Sequence, residues 1–253
     1  EALSKICCEL DISIPVGKDS LSMRSKWVEE GQNFEVKSPL TGVISAMAPV
    51  IDTRLAITTE LESCSNDLYL IKLTDKQRMG GSILALIEDQ LSLETPDVEN
   101  AKQIRELFNL IQNEILNKKI TALHDISDGG MLAALCELSF TNKVGLDIFL
   151  STSDDQIHSE LFNEELGLII QCKGEVDELS NKLAKIGCSI EKCGVTSPAY
   201  ELQIFDRQMK NIFRSSCVEL EKAWQETSTK IRMERDNPVC VESETNTIEK
   251  FED

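Results

Sequence analysis

Apolar residues recur with two different periods along the chain, and together the two periods predict an α/β protein. Short apolar runs, which are typical of buried strands, occur at residues 68–73, 144–150, 166–172 and 200–205. Apolar residues at helical spacing predict helices over residues 95–119, 131–140, 175–186 and 211–234. Because strands alternate with helices, we expect a layered α/β domain.

The first 62 residues have a more extended pattern. An amphipathic helix is predicted over residues 1–10, followed by strands at 12–14, 23–27 and 34–37. Residues 40–50 are almost continuously apolar, as in a strand that is covered on both faces. The polar residues 63–67 then mark a crossing to a second unit.

These patterns divide the chain into three parts. We predict a partial sheet subdomain at residues 1–62, an α/β domain at 63–235, and an acidic linker at 236–253. The last part carries five carboxylates after residue 241 and a single lysine, a composition typical of an unfolded connection.

The most informative motif is HDISDGG at residues 124–130, which lies between the apolar residues 120–123, predicted as a strand or extended segment, and the helix predicted over 131–140. The first turn of a helix offers unpaired N–H groups and a positive dipole end to phosphate. Gly129 and Gly130 would let a phosphate approach the backbone closely. Asp125 supplies a carboxylate oxygen suited to Mg²⁺. The same spacing equally predicts Asp128 as an ordinary helix N-cap.

A second motif, GKDS at residues 17–20, follows the alternating segment 12–16. It is not a Walker A loop, because the earlier glycine and its four-residue spacer are missing. Lys18 is suited to neutralise phosphate oxygens, and Asp19 to share a metal ion. The alternative is a solvated Lys–Asp pair after a strand.

Other polar residues give weaker indications. Glu164 and Glu165 face opposite ways if their segment is extended, so at most one can enter a site, and a structural role is favoured. His124 is expected to orient the neighbouring carboxylate rather than to perform chemistry. Arg54 follows Asp52 and indicates either a phosphate contact or a surface ion pair.

Composition excludes several classes of function. The net charge of −18 argues against binding to nucleic acid or to an anionic membrane surface. No apolar run approaches the length of a spanning helix and no signal-peptide pattern is found, so we expect a cytoplasmic protein. The nine cysteines form no C-x-x-C and only two histidines are present, which predicts reduced thiols, mostly small core residues.

Taken together, HDISDGG and GKDS resemble the synthetase region of the phosphoribosylformylglycinamidine synthase family, in its large single-chain form. This family is the amidotransferase of purine biosynthesis. Further stretches of the chain agree with the family in the right order, namely residues 38–46, 162–167 and 235–238. The resemblance implies an aminoimidazole ribonucleotide synthetase-like fold, in which a partial N-terminal-type sheet unit precedes a layered C-terminal-type α/β domain.

The resemblance also implies a function. Family members are ATP-dependent ligases that convert formylglycinamide ribonucleotide, glutamine and ATP to formylglycinamidine ribonucleotide. Mg²⁺ and ATP or ADP are the implied cofactors, with Asp19 and Asp125 as metal ligands. The implied nucleotide-binding residues are Lys18, Ser127, Asp128, Gly129 and Gly130.

The chain matches only part of the second half of that synthetase region. Its implied partners are therefore the remaining synthetase half and a glutaminase domain. No cysteine here has the context of a glutaminase nucleophile, and we expect no activity from the chain alone. One alternative is a scaffold held together by a bound nucleotide, without chemistry of its own. Another is a different ATP-dependent synthetase of the same superfamily.

Overall fold

The computed structural model describes residues 1–18, 23–38, 41–50, 52–62, 66–90 and 92–248. The chain forms two compact units, Glu1–Arg54 and Leu55–Asp253. The boundary between the units therefore lies earlier in the chain than residues 63–67, the polar crossing at which we predicted it.

The described residues of the first unit form one α-helix followed by one hairpin. Helix α1 spans Ala2–Leu10, and strands β1 (Arg24–Glu29) and β2 (Gln32–Lys37) pair antiparallel. The rings of Trp27 and Phe34 stack across the hairpin with their centroids 5.4 Å apart. The pairing confirms the strands predicted near residues 23–27 and 34–37.

Two strands predicted for this unit are wrong. Residues 12–14 and 41–50 have no regular secondary structure, and their side chains are exposed. A strand requires a neighbour that satisfies its backbone N–H and C=O groups, and apolar composition does not supply one. Residues 39 and 40 lie outside the described part of the chain.

The second unit is built on a seven-stranded sheet. Its strands are β3 (Asp67–Lys72), β4 (Ile120–Asp125), β5 (Gly145–Phe149), β6 (Gly167–Cys172), β7 (Ser189–Ser197), β8 (Glu201–Phe205) and β9 (Asn211–Ser216). The order across the sheet is β4-β6-β3-β7-β5-β8-β9, and β5 with β8 forms the parallel pair. Strand β4 therefore lies at one edge.

The described residues of this unit also form seven α-helices, several of which pack against the sheet. They are α2 (Ile83–Ile87), α3 (Ala101–Leu116), α4 (Gly130–Asn142), α5 (Ile157–Phe162), α6 (Asp177–Lys185), α7 (Cys217–Arg235) and α8 (Pro238–Thr245). Successive side chains of a strand point to opposite faces. Leu70 accordingly joins the core cluster of α4, whereas Ile71 joins the cluster of α3 and α6. The mixed, layered α/β fold class is confirmed.

Several helices differ from the sequence prediction in extent. The segment predicted as one helix over residues 211–234 contains β9 first, and α7 begins only at Cys217. The side chain of Ser216 caps α7 by accepting from the N–H of Val218, and this cap fixes where the helix starts. Helix α3 spans Ala101–Leu116 after the capping residue Asn100, so it is shorter at both ends than the helix predicted over residues 95–119. Strand β7 and helix α5 were not predicted.

The prediction of an unfolded linker after residue 235 is also wrong for the described residues 236–248. Asn237 caps α8 by accepting from the N–H of Val239, and Pro238 occupies the first helical position. Val241 and Ile248 are buried. The segment is therefore folded despite its acidic composition, because two of its apolar side chains are buried and its helix is capped.

The cysteines behave largely as small core residues. Cys136, Cys188, Cys193 and Cys217 are buried, which confirms that prediction for these four. Burial raises the pKa of the Cys136 and Cys193 thiols to about 12, so both are protonated at neutral pH. Across the described ranges, no helix is both long and apolar enough to cross a membrane.

Candidate functional site

The HDISDGG segment joins the edge strand β4 to helix α4, as predicted. Ile126 is buried, and its N–H donates to the carbonyl of Gly167 at 2.9 Å. This bond anchors the loop to β6. Asp125, Ser127 and Asp128 are exposed around it. The structure thus presents two carboxylates and a hydroxyl to solvent at one end of the sheet.

The two glycines of the loop have left-handed backbone conformations, with φ of 85° at Gly129 and 70° at Gly130. A Cβ on Gly130 would lie 2.7 Å from the carbonyl oxygen of Asn163 and 2.8 Å from that of Leu161. Gly130 is therefore required where α4 packs against the backbone of residues 161–163. At Gly130, the close backbone approach that we expected of a phosphate is instead made by residues 161–163 of the chain itself.

The N–H groups of both glycines are also bonded within the chain. The N–H of Gly130 donates to the carbonyl of Ser127 at 3.0 Å. The N–H of Gly129 donates to Oε1 of Glu164 at 2.9 Å, and the N–H of Ile83 donates to the same oxygen at 2.9 Å. An internal carboxylate thus lies at the start of α4, where the sequence had suggested phosphate. The N-cap of α4 is Gly129, so Asp128 is not its side-chain cap.

Glu165 forms a partly buried ion pair with Arg78. The Arg78 Nε donates to Oε1 of Glu165 at 2.6 Å, and one terminal guanidinium nitrogen donates to Oε2 at 2.8 Å. These contacts raise the pKa of Arg78, chiefly through the hydrogen bond to Glu165. Both glutamates of the 162–165 stretch therefore make structural contacts, in line with the role favoured from the sequence.

His124 is held at both ring nitrogens. Its Nε2 lies 3.0 Å from Oε2 of Glu137, and its Nδ1 lies 2.7 Å from the backbone oxygen of Asp125. The other Glu137 oxygen accepts from Nε1 of Trp224 at 3.0 Å. Sequence reasoning missed Glu137 and Trp224. The one available signal was that Glu137 is the only charged residue in the otherwise apolar or neutral helix α4.

The candidate residues of the first unit are less informative. Lys18 is exposed, and Asp19 lies outside the described residues. The Arg54 guanidinium donates to both carboxylate oxygens of Asp52, at 2.9 and 2.7 Å. Of the two alternatives for Arg54, the structure supports the surface ion pair.

The loop at the end of β4 is not a self-sufficient metal site. In the described ranges, no three His, Cys, Asp or Glu side chains are grouped so that they could hold a metal ion. Mg²⁺ is commonly held by one or two carboxylates together with water and the phosphates of a nucleotide. The exposed carboxylate of Asp125 fits this kind of site, in which the metal ion binds together with a nucleotide.

Fold and loop together define a layered α/β protein in which an acidic loop joins an edge strand to a helix. Residues 66–207 match the model of the AIR synthase related protein, C-terminal domain, and residues 1–49 match that of the FGAR-AT PurM_N-like domain. Because the first match covers more than half of the chain, the chain belongs to the AIR synthase-related family.

A curated relative agrees with this assignment. The chain is 39% identical over 254 residues to phosphoribosylformylglycinamidine synthase of Schizosaccharomyces pombe. The match covers 96% of this chain and 19% of that protein. The chain therefore spans about a fifth of the relative's length. The resemblance identified from five ordered motifs is confirmed.

Solved structures show the same fold. Thermotoga maritima PurL complexed with FGAR matches with a TM-score of 0.58 and 10% identity, over 66% of this chain and 30% of that chain. The same protein complexed with ATP matches with a TM-score of 0.52 and 10% identity, over 65% of this chain and 27% of that chain. At such low identity these likenesses establish the fold alone.

Proposed function

We propose that this chain forms part of the synthetase region of a phosphoribosylformylglycinamidine synthase. The full enzyme would use ATP and glutamine to convert formylglycinamide ribonucleotide to formylglycinamidine ribonucleotide. The observation that carries the proposal is 39% identity along 96% of the chain, with both domain matches in the expected order. The FGAR, ATP and ADP complexes of the structurally similar PurL support these substrates.

Within that enzyme, we assign the end of β4 to the phosphate end of a bound nucleotide. Asp125 is the proposed Mg²⁺ ligand, and Ser127 and Asp128 are the proposed nucleotide contacts. Their support is exposure on one loop whose base is fixed by the Ile126 bond to β6. Phosphoryl transfer depends mostly on positioning and charge neutralisation, and Mg²⁺ when bound supplies neutralisation at the phosphates.

The other predicted contacts are proposed with modified roles. Gly129 and Gly130 would contribute by shaping the loop, because their N–H groups already have acceptors within the chain. For Lys18 we propose phosphate neutralisation and for Asp19 metal binding. Both of these assignments rest on the GKDS motif alone.

The proposed partners follow from the family. They are ATP, the ribonucleotide substrate, the remaining synthetase region and a glutaminase domain. The net charge of −18 argues against nucleic acid and against anionic membranes as partners. We propose a cytoplasmic location, which suits buried reduced thiols.

A second candidate is a scaffold role, in which the bound nucleotide stabilises this region without reacting. Its support is that the N–H of Gly129 at the start of α4 already donates to Glu164, so this donor is not free to stabilise charge that develops on a reacting phosphate. A ligand that binds only the native state stabilises it by mass action, so a nucleotide can support a fold without taking part in chemistry.

One substitution in the full-length enzyme separates the two candidates. At a catalytic site, Asp125→Asn should reduce ammonia-dependent amidation at subsaturating ATP. At a scaffold site it should instead lower the melting temperature and the amount of nucleotide that co-purifies. Asp154→Asn, on an exposed turn of the same unit, is the matched control. If Asp125→Asn matches this control in amidation activity, melting temperature and co-purifying nucleotide, both forms of the proposal are refuted.

The isolated chain gives a complementary test. Residues 1–253 alone should produce no formylglycinamidine ribonucleotide from glutamine or ammonia. Turnover by the purified chain would contradict its assignment as one part of a larger catalytic unit.

A further inference from the structure

Three side chains from three elements of the second unit form a continuous chain of polar contacts. Trp224 of α7 donates from Nε1 to Oε1 of Glu137 at 3.0 Å. His124 of β4 lies with its Nε2 3.0 Å from the other carboxylate oxygen of Glu137. Each oxygen of this α4 carboxylate therefore has its own partner, and the carboxylate joins the edge strand to the last long helix.

The chain continues from His124 to Asp125. The Nδ1 of His124 lies 2.7 Å from the backbone carbonyl oxygen of Asp125 and 3.6 Å from Oδ1 of the Asp125 side chain. A carbonyl and a carboxylate are both acceptors, so each ring nitrogen faces an acceptor and the imidazole orientation is fixed. The same ring contacts the backbone and approaches the side chain of the proposed metal ligand.

Packing alone does not account for Glu137. Residues 130–142 contain no other charged side chain, and most of them contribute to the core under α4. A partly buried carboxylate is costly unless polar partners compensate for its lost hydration, and here Trp224 and His124 do so. The Glu137 carboxylate thereby links the imidazole ring beside Asp125 to helix α7.

We propose that Glu137 is a positioning residue that acts through His124 to hold Asp125 ready for a metal–nucleotide complex. The inference rests on the proposed function of Asp125. Residues that orient a metal ligand through a second hydrogen bond are known to affect metal affinity strongly, and their substitution commonly weakens it by about 10- to 100-fold. Trp224 completes the arrangement by fixing the opposite carboxylate oxygen.

The test measures binding of ADP to the full-length enzyme, after removal of bound nucleotide, with and without Mg²⁺. Glu137→Gln keeps the size of the side chain but loses its charge, and should weaken Mg²⁺-dependent binding about tenfold. Binding without Mg²⁺ and the melting temperature should match those of the control Glu226→Gln, an exposed substitution on α7. Trp224→Phe retains a ring against Phe140 but removes the donor to Oε1 of Glu137, and it should weaken Mg²⁺-dependent binding less than Glu137→Gln does.

A double substitution identifies the path of the effect. In an Asp125→Asn background, Glu137→Gln should add no further loss, because groups that act through one another are not additive. An additive loss, or an equal loss with and without Mg²⁺, would show a general structural effect and overturn the inference. If Glu137→Gln destabilises the fold, the same double-substitution test applies to Trp224→Phe.

The outcomes also separate this inference from the proposed function. A loss of affinity in Asp125→Asn with none in Glu137→Gln and Trp224→Phe would overturn the positioning role alone. Unchanged affinity in Asp125→Asn would overturn the role of Asp125 as a metal ligand, and the positioning role with it.

Discussion

Both units of the chain contain runs of apolar residues, but these residues are buried in the second unit and exposed in the first. In the second unit Leu146, Ile148 and Leu202 are almost completely buried between the sheet and its helices. In the first unit, none of the residues that the structure describes is buried, and Val43 and Met47 are 85% and 99% exposed. An apolar run therefore shows that a segment favours burial, but a core forms only where several elements close over it.

Stability should follow the same division, and a matched pair of leucines gives the largest expected contrast. Leu146→Ala should reduce the free energy of unfolding by about 3 kcal/mol, because it removes a fully buried side chain and leaves a cavity. Leu3→Ala, on the half-exposed face of α1, should change it by less than about 0.5 kcal/mol. Denaturant unfolding of the purified chain measures both. Equal losses would show that the first unit has a core that the structure does not contain.

Two glycines sharpen the comparison within the second unit. Both have positive φ, but a Cβ on Gly130 would meet backbone atoms at 2.7–2.8 Å, whereas one on Gly174 would meet nothing within 4 Å. Gly130→Ala should therefore cost about 2–4 kcal/mol, from backbone strain plus overpacking. Gly174→Ala should cost only about 1 kcal/mol, from strain alone. Similar costs by thermal or denaturant unfolding would contradict the packing of α4 on residues 161–163.

Surface charges should have the smallest effect. Hydrogen bonds from Lys182 and then Lys119 lower the pKa of Glu178 to about 2, from an ordinary value of 4.5. A lowered pKa contributes stability above pH 4.5 that is lost as the pH falls towards about 2. Glu178→Gln should thus be slightly less stable than the wild type at neutral pH, and the difference should disappear near pH 2. A difference independent of pH would exclude these ion pairs as its cause.

The sequence predicted most of the second unit because its signals are local. Buried strands such as β3 and β6 have clear apolar runs, and helices such as α3 and α6 have a clear apolar period. Strand β9 was mistaken for helix because its identity depends on pairing with β8, which is a tertiary fact. The acidic composition of residues 236–253 does not reveal helix α8, which depends on the cap at Asn237 and on the burial of Val241.

The candidate site was predicted only in part, for the same reason. The order of strand, polar loop and helix around HDISDGG is local and was correct. The contact of Glu164 with Gly129 joins residues 35 positions apart, and that of Trp224 with Glu137 joins residues 87 positions apart. No periodicity in the sequence reports such contacts. These contacts change the interpretation of the loop, because its glycines and its histidine already have binding partners within the chain.

We propose above all that the exposed end of β4 binds a metal–nucleotide complex through Asp125. The most direct measurement is calorimetric titration of Mg²⁺-ADP into the full-length enzyme, freed of bound nucleotide, comparing Asp125→Asn with Asp154→Asn. We expect Asp125→Asn to lose about 1–3 kcal/mol of binding free energy, the value of a charge-assisted contact, and Asp154→Asn to bind as the wild type does. Equal affinity in the two variants would contradict the assignment of this loop as the metal and phosphate end of the site.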